Sequence, residues 1–373
     1  MPLFAAVSPF GLRDLVEEEL TNLKVKIKKK EDRAIYFEAN WLTAYKFNYT
    51  SRYAARLLYS VLDFAAYNDQ DIYNNIKRHD FTKYIDPGQT VKVEAKVFHS
   101  HIFQDQRYVA LKVKDALVDQ FKDKYGERPN VDVEDPDLCL HVRVLKNNVS
   151  VSIDTSGSGL HERGYREEMG IAPLKENIAA AMLSLAKWDK SKRLVDPMCG
   201  SGTIAIEAAM QAANIPAGYN RAFNFARWKN FQEDDWYAEK EKIDAQIIAE
   251  PTMDIHAYDI SGQMIQAAKK NAQIAGVEKW IHWGVKDAEK LSLDFAEGLI
   301  VTNPPYAKRM GVTDELIKVY QGLADSLKKN GKWDLWILSG NSDLTAALRL
   351  KAKQKIPLKN GNLDCRLLHY PIY

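Results

Sequence analysis

The sequence predicts an α/β protein with a doubly wound, mostly parallel sheet in its carboxyl-terminal half and two smaller α+β modules before it. From about residue 172, apolar strand patterns alternate with helical patterns, as in KRLVDPM, GTIAIEAAMQAA and DIHAYD. This alternation is typical of parallel sheets. Before residue 172, strand and helix patterns follow in mixed order, which is typical of small α+β units. A length of 373 residues suits two or three domains.

The mixed part divides into two modules. Residues 1–65 combine a helical pattern after Gly11, the strand patterns KVKIKKK and AIYFEA, and a helix over residues 41–49. Residues 66–155 contain the strand TVKVEAKVF, a helix that stops at Gly126, and the strand pair LCLHVRVL and NVSVSID. Residues 156–171 begin with a Gly/Ser-rich stretch and are predicted to link these modules to the last domain, residues 172–373.

Composition and charge limit the classes of partner. The formal net charge is only +2, so a nucleic-acid partner would need a local basic face. The three cysteines, Cys139, Cys199 and Cys365, are widely spaced, and we therefore expect neither disulfides nor a metal site. The N-terminus lacks a signal-peptide pattern, and no apolar run approaches the roughly 20 residues of a membrane span. These features predict a cytoplasmic protein.

Glycines and acids stand where strands of the last domain end. A strand stops at Asp196, a turn with Gly200 and Gly202 follows, and a helix begins at once. Glycines let a ligand approach the backbone, but the acid before the turn suits a cationic amino-acid group better than a pyrophosphate. Asp259 ends the next strand, where it can accept both hydroxyls of a ribose. Asp287 ends the third, where it can accept from an adenine amine.

Together these groups predict S-adenosylmethionine as the cofactor, at the carboxyl ends of the strands. A strand-terminal aspartate often only caps the next helix, so the prediction depends on all three acids in strand order. The residues predicted to bind the cofactor are Asp196, Pro197, Cys199, Gly200, Gly202, Thr203, Asp259, Ile260, Asp287, Ala288 and Asn303.

A long insertion separates the glycine turn from Asp259. A ribose-binding acid usually follows such a turn by about 20 residues, but here NIPAGYNRAFNFARWKNFQEDDWYAEKEKIDAQ intervenes. Its aromatic side chains either pack as a cap over the helix or stack on a substrate base. The sequence leaves both interpretations open.

The strand LIVTN stops at Asn303-Pro304-Pro305-Tyr306, which predicts a clamp for an exocyclic amine. Such an amine is a poor nucleophile, because its lone pair is delocalised into the ring. The Asn303 side-chain oxygen and the rigid Pro304 carbonyl can each accept one N–H, which frees the lone pair for a methyl group. Tyr306 offers a face on which the base can stack. The same chemistry serves a glutamine amide, an adenine amine or a guanine amine.

Several stretches resemble one family. DPMCGSGT and NPPY resemble class I amino-methyltransferases, and LHERGYR followed by APLKENIAAAML resembles the domain junction of THUMP-containing RNA methyltransferases. The resemblance to their bacterial branch for guanine N2 in large-subunit ribosomal RNA covers nearly the whole chain, including AAVSPFGLRDLVEEEL and the aromatic insertion.

The resemblance implies a ferredoxin-like module, a THUMP domain and a Rossmann-like methyltransferase sheet with an antiparallel last strand. It also implies guanine N2 in 23S rRNA, or in its precursor particle, as target. The second methyltransferase domain of some relatives is expected to be absent. Candidate RNA-phosphate contacts are Lys112, Lys114, Arg163 and Arg166. The alternatives are N2-guanine methylation of tRNA, N6-adenine methylation of RNA, and a non-catalytic RNA-binding assembly factor.

Overall fold

The computed structural model describes residues 1–167, 174–305, 313–329 and 331–373. Its strands are β1 (Leu3–Val7), β2 (Lys26–Glu31), β3 (Ala34–Glu38), β4 (Arg56–Ala65), β5 (Thr90–Phe98), β6 (Asn130–Val131), β7 (Leu138–Leu145), β8 (Asn148–Asp154), β9 (Leu194–Asp196), β10 (Ile255–Asp259), β11 (Ile281–Val285), β12 (Glu297–Thr302), β13 (Lys332–Ser339), β14 (Gln354–Asn360) and β15 (Leu363–Ile372). Its α-helices are α1 (Arg13–Asn22), α2 (Trp41–Thr50), α3 (Asp69–Arg78), α4 (Gln106–Tyr125), α5 (Glu176–Leu185), α6 (Thr203–Ala212), α7 (Glu233–Asp244), α8 (Gly262–Ile274), α9 (Asp314–Lys329) and α10 (Ser342–Ala347).

The first eight strands form one continuous sheet, in the order β2-β3-β1-β4-β8-β7-β5-β6. The strand β4 joins its two halves, because it pairs antiparallel with β1 on one side and with β8 on the other. Helix α4 ends where the sequence predicts, with Gly126 in the left-handed conformation (φ 78°) that terminates helices at little steric cost. The two N-terminal modules therefore share a single sheet.

The edge strand β2 carries a run of exposed lysines. The amines of Lys28, Lys29 and Lys30 each lie within 3.1 Å of a glutamate carboxylate. Charged side chains on an edge strand discourage pairing with a foreign strand. This run therefore protects the free edge of the N-terminal sheet.

The aromatic insertion packs into the N-terminal core. The ring of Phe225 stacks on Tyr45 with centroids 4.4 Å apart, and Trp228 meets Trp41 edge to face at 6.0 Å. For the buried aromatics both interpretations drawn from the sequence are therefore wrong, because these side chains neither cap the helix nor face a substrate base. Two other aromatics of the insertion, Tyr219 and Tyr237, are exposed. The buried residues that the insertion contributes to this core are Phe223, Phe225, Trp228, Trp236 and Ile243.

The segment predicted as a linker is packed between the two halves of the molecule. The Arg163 side chain is only 1% exposed. The guanidinium of Arg221 donates to four backbone carbonyls between Ser156 and Glu162, at 2.6–3.2 Å. Because these contacts satisfy polar groups that a free loop would leave to water, residues 156–167 form a packed seam, although Ser158, Glu162, Gly164 and Glu167 stay exposed.

The second sheet has the order β11-β10-β9-β12-β13-β15-β14. The strands from β11 to β13 pair in parallel, and β15 runs antiparallel to β13, as predicted. The strand order reverses at β9, which has β10 on one side and β12 on the other. Ligands of such sheets bind at this switch point. Within the described chain, no helix is both long and apolar enough to cross a membrane.

Candidate active site

The carboxylate of Asp196 connects the ends of two strands. Its Oδ1 atom accepts a hydrogen bond from Thr302 Oγ1 at 2.7 Å and another from the Met198 backbone N–H at 3.2 Å. Asp196 ends β9 and Thr302 ends β12, so this contact fixes the glycine turn relative to Asn303. Sequence reasoning missed Thr302, although it directly precedes the clamp.

The two glycines of the turn have different roles. Among the described residues, a Cβ atom on Gly200 would have only Met264 Cε near it, at 4.0 Å, so this glycine leaves space in front of the turn. A Cβ atom on Gly202 would lie 3.0 Å from Ala268 and 3.1 Å from the Trp283 ring. Both have positive φ (53° and 83°), which favours glycine. Gly200 therefore leaves room for a ligand, whereas Gly202 permits close packing behind helix α6.

Asp259 anchors the turn from the neighbouring strand. Its Oδ2 atom accepts from the Gly200 backbone N–H and its Oδ1 atom from the Ser261 backbone N–H, both at 2.9 Å. The next residue, Ile260, is 69% exposed, which is unusual for an aliphatic side chain and suits an apolar contact with a nucleoside. Aspartate and isoleucine thus present polar and apolar groups side by side, and their contact with the cofactor stays a prediction.

Asp287 begins a short 3-10 turn after β11. Its Oδ1 atom accepts from the Glu289 backbone N–H at 2.9 Å, and Ala288 is buried beneath it. The capping role considered from the sequence is therefore present. One oxygen of a carboxylate can cap while the other accepts from a ligand, so the predicted contact with adenine stays a prediction.

The electrostatics of the turn favour a cation. Burial raises the pKa of Asp196 to about 7; the hydrogen bonds from Thr302 and Met198 oppose this shift, and the charge of Asp259 adds to it. A positive group placed between the two aspartates would restore the ionised form. The α-ammonium group of S-adenosylmethionine has this charge, and the open space at Gly200 can admit it. The residues present therefore fit this cofactor.

A pH dependence of ligand binding follows from the raised pKa of Asp196. Below pH 7 its carboxyl group is protonated and cannot pair with an ammonium group. We expect the affinity for S-adenosylhomocysteine to rise by up to about tenfold from pH 6 to pH 8. Calorimetric titration checks this, with 5′-methylthioadenosine, which lacks the amino-acid group, as the control ligand. If the Asp196→Asn variant showed the same rise in affinity between pH 6 and pH 8, the pH dependence would belong to another residue.

The clamp residues lie at the carboxyl end of β12, next to the glycine turn. The Oδ1 atom of Asn303 is buried and accepts no hydrogen bond from the described part of the chain. An unsatisfied buried acceptor costs about 1–3 kcal/mol, so such an atom needs an explanation, and a catalytic role is one of those known. Pro304 is buried and Pro305 is exposed. The predicted stacking residue, Tyr306, lies outside the described residues.

One of the two predicted RNA contacts in the seam, Arg163, is contradicted by burial. The Nε atom of Arg163 lies 3.3 Å from Glu207 Oε1, and the side chain is 1% exposed. Arg166 is 11% exposed; its Nε atom donates to Glu176 at 2.8 Å and its Nη2 atom to Thr203 Oγ1 at 3.0 Å. The Arg163 guanidinium cannot reach an RNA phosphate from its buried position, whereas an RNA contact of the partly exposed Arg166 stays a prediction. Arg166 braces the first residue of helix α6, directly behind the glycine turn.

The two predicted lysine contacts lie on the surface of helix α4. The Nζ atom of Lys112 is 3.1 Å from Asp69, and that of Lys114 is 2.9 Å from Asp115. Each lysine already has an acidic partner, which a phosphate would have to replace. Their contact with RNA stays a prediction.

One group of side chains at the opposite edge of the sheet is close enough to share a cation. Ligand atoms of Asp254, His256 and His282 lie within 4.8 Å of one another, at the amino ends of β10 and β11. However, Arg193 Nε donates to Asp254 Oδ2 at 2.6 Å, and Asp254 Oδ1 lies 2.7 Å from His256 Nε2. Because the guanidinium already neutralises this carboxylate, we assign the group a structural role.

Three family profiles match the chain. They are the RlmL ferredoxin-like domain over residues 3–58, the THUMP domain over residues 66–154, and the RMKL-like methyltransferase domain over residues 163–369. The last alone spans more than half of the chain. The order of the profiles agrees with the resemblance seen in the sequence.

Individual proteins agree with the profiles. A Synechocystis sp. protein, provisionally named an RNA methyltransferase, is 36% identical and aligns over 100% of this chain and 97% of its own length. The ribosomal RNA large subunit methyltransferase K/L of Vibrio cholerae is 37% identical over 100% of this chain but 53% of its own length, so the chain spans about half of that relative.

A similar solved structure contains the product form of the cofactor. The crystal structure of SMU.472 in complex with S-adenosylhomocysteine is 28% identical, with a TM-score of 0.89, and the match covers 100% of this chain and 98% of that one. S-adenosylhomocysteine is what S-adenosylmethionine becomes after it gives up its methyl group. The chain therefore belongs to the RMKL-like methyltransferase family, with a ferredoxin-like and a THUMP domain before the methyltransferase domain, and its cofactor is S-adenosylmethionine.

Proposed function

We propose that this protein methylates the exocyclic N2 amine of a guanine in 23S rRNA. The observation that carries the proposal is the Oδ1 atom of Asn303, which is buried and has no hydrogen-bond partner among the described residues, at the strand end adjacent to the glycine turn. An acceptor in this position can take an N–H of an amine that enters the site. The proposal assigns the catalytic role to Asn303, Pro304, Pro305 and Tyr306.

In this proposal the chain acts by positioning. The cofactor supplies an electrophilic methyl group. Asn303 Oδ1 and the Pro304 carbonyl each accept one N–H of the target amine, which turns its lone pair towards that methyl group. The proton that the nitrogen loses passes to water. Such alignment lowers the barrier without a strong base.

The choice of RNA as substrate is supported by the N-terminal half. THUMP and ferredoxin-like domains precede the methyltransferase domain, and the relatives named above carry RNA methyltransferase names. Proteins bind structured RNA mainly through its shape and phosphates. A base must leave its stack before it reaches the clamp. The choice of guanine N2 is supported by the sequence resemblance.

The test is methyl transfer from labelled S-adenosylmethionine to total RNA from cells that lack the protein. Separated 23S, 16S and transfer RNAs are digested, and their nucleosides are analysed. We expect labelled N2-methylguanosine in 23S rRNA. Label in N6-methyladenosine, or label in tRNA alone, would retain the clamp chemistry and reject the proposed target. If no RNA were labelled although the protein still bound the cofactor, protein-free RNA would be rejected as the substrate.

A further inference from the structure

The N-terminal half has no surplus of positive charge with which to hold RNA. Residues 1–155 contain 23 arginines and lysines and 23 acidic residues. Many of these cations are already in ion pairs, and RNA affinity depends strongly on phosphates neutralised by free cations. Paired surface lysines in this half include Lys28–Glu38, Lys29–Glu31, Lys30–Glu17, Lys77–Asp123, Lys92–Glu94, Lys112–Asp69 and Lys114–Asp115.

The surplus lies at the other end of the chain. Residues 349–373 contain six arginines and lysines but one acid, Asp364, which pairs with Lys359 at 3.1 Å. The other five cations are exposed and make no ion pair with the described residues. We call these five residues the hairpin strip: Arg349, Lys351, Lys353, Lys355 and Arg366.

Strand register places two residues of the strip, Lys355 and Arg366, near the carboxyl end of β13. Arg366 on β15 is paired with Ser339, the last residue of β13, and β13 lies between β15 and β12. Thr302, the last residue of β12, is level with Ile337 and Leu368, and Arg366 lies two residues beyond that level. The backbone of Arg366 is therefore about 10 Å across and about 7 Å along the strands from the end of β12. Lys355 and Arg366 share one face, because Arg366 is paired with Pro357, two residues after Lys355. The positive charge of Lys355 and Arg366 thus extends towards the edge of the second sheet that carries the glycine turn.

The positive charges of the strip are not needed to keep the edge strand β14 from pairing with a foreign strand. The edge strand β14 already contains Pro357, which cannot donate to another strand. Its carbonyl is covered by Gly11, where an added Cβ atom would lie only 2.4 Å from Pro357 O. The N-terminal module therefore covers this edge at Pro357 and Leu358, whereas the lysines of β2 protect an edge that is free.

We propose that the hairpin strip binds RNA phosphates next to the target nucleotide. This proposal rests on the proposed function. In it, the methyltransferase domain itself holds the strand that carries the target base. The chemistry recognised is the phosphodiester backbone, so the strip contributes affinity without reading the sequence.

The test compares two variants that each lose four positive charges. The strip variant is K351Q/K353Q/K355Q/R366Q, and the control is K28Q/K29Q/K30Q/K77Q, whose lysines are paired with acids. Binding to transcribed 23S rRNA and to tRNA is measured between 50 and 200 mM salt. For the strip variant we expect at least about tenfold weaker binding at 150 mM salt, and a slope of log K against log salt less negative by about 3. For the control we expect changes within about twofold.

Two further measurements distinguish a loss of RNA binding from a loss of cofactor binding or of stability. S-adenosylhomocysteine affinity and the melting temperature should be unchanged in the strip variant, because its residues are exposed and outside the cofactor site. An unchanged salt slope in the strip variant, or an equal loss in both variants, would overturn the proposal. A strip effect on both RNAs, without N2-methylguanosine in 23S rRNA from the wild type, would support the strip and reject the proposed target.

Discussion

Asn303→Ala is expected to reduce methyl transfer roughly 100- to 1000-fold, while the affinity for S-adenosylhomocysteine stays within about twofold. Removal of one preorganised polar group that acts mainly in the transition state has an effect of this size. The Asn303 Oδ1 atom has no hydrogen bond in the described chain, so its removal breaks no structural contact there. Single-turnover rates and calorimetric titration give the two quantities.

Two companion variants test the role of the Asn303 acceptor. Asn303→Asp keeps an oxygen in place and should retain more activity than alanine, although it adds a negative charge near Asp196. Asn362→Ala removes an exposed asparagine from the turn between β14 and β15 and should leave turnover unchanged. If Asn303→Ala bound S-adenosylhomocysteine poorly but reacted at the normal rate once loaded, Asn303 would be a cofactor residue and not part of a clamp.

Arg163→Met is expected to lower the free energy of unfolding by about 3–5 kcal/mol, because it leaves Glu207 buried without its cationic partner. Glu207 is fully buried in helix α6, and the second of its oxygens, Oε2, already lacks a hydrogen bond in the described chain. Arg163 also donates to the carbonyls of Leu160 and Arg52, both at 2.6 Å. The midpoint of urea unfolding of the full chain measures the loss.

Three further variants separate charge from geometry at this position. Arg163→Met/Glu207→Leu removes both charges and should recover part of the stability, but not all, because the carbonyls lose their donors. Arg163→Lys keeps the charge but loses the planar donor fork, so it should fall between wild type and Arg163→Met. Arg107→Met removes an arginine that is 86% exposed and should change stability by less than about 0.5 kcal/mol. A wild-type midpoint for Arg163→Met would show that the seam is not needed for stability.

The seam and the insertion show where sequence reasoning failed. The stretch TSGSGLHERGYR has the composition of a flexible connection, and its arginines suggested a surface for RNA. Arg163 is buried because Glu207, 44 residues later, lies opposite it. The aromatics around Phe225 entered the N-terminal core because Tyr45 lies there. No local pattern reports a partner so distant in the chain.

Local patterns determined the parts of this protein that depend on neighbouring residues. Strand and helix periodicity identified most elements of the second sheet, and the turn from Asp196 to Thr203 follows a strand end, where glycine and aspartate have defined roles. The tertiary structure alone decided the contact between Thr302 and Asp196, the burial of Arg163, and the position of Arg366 near the carboxyl end of β13. A sequence shows which charges exist, but whether a charge is buried, paired or free depends on long-range packing, which sets its distance from other groups and from water.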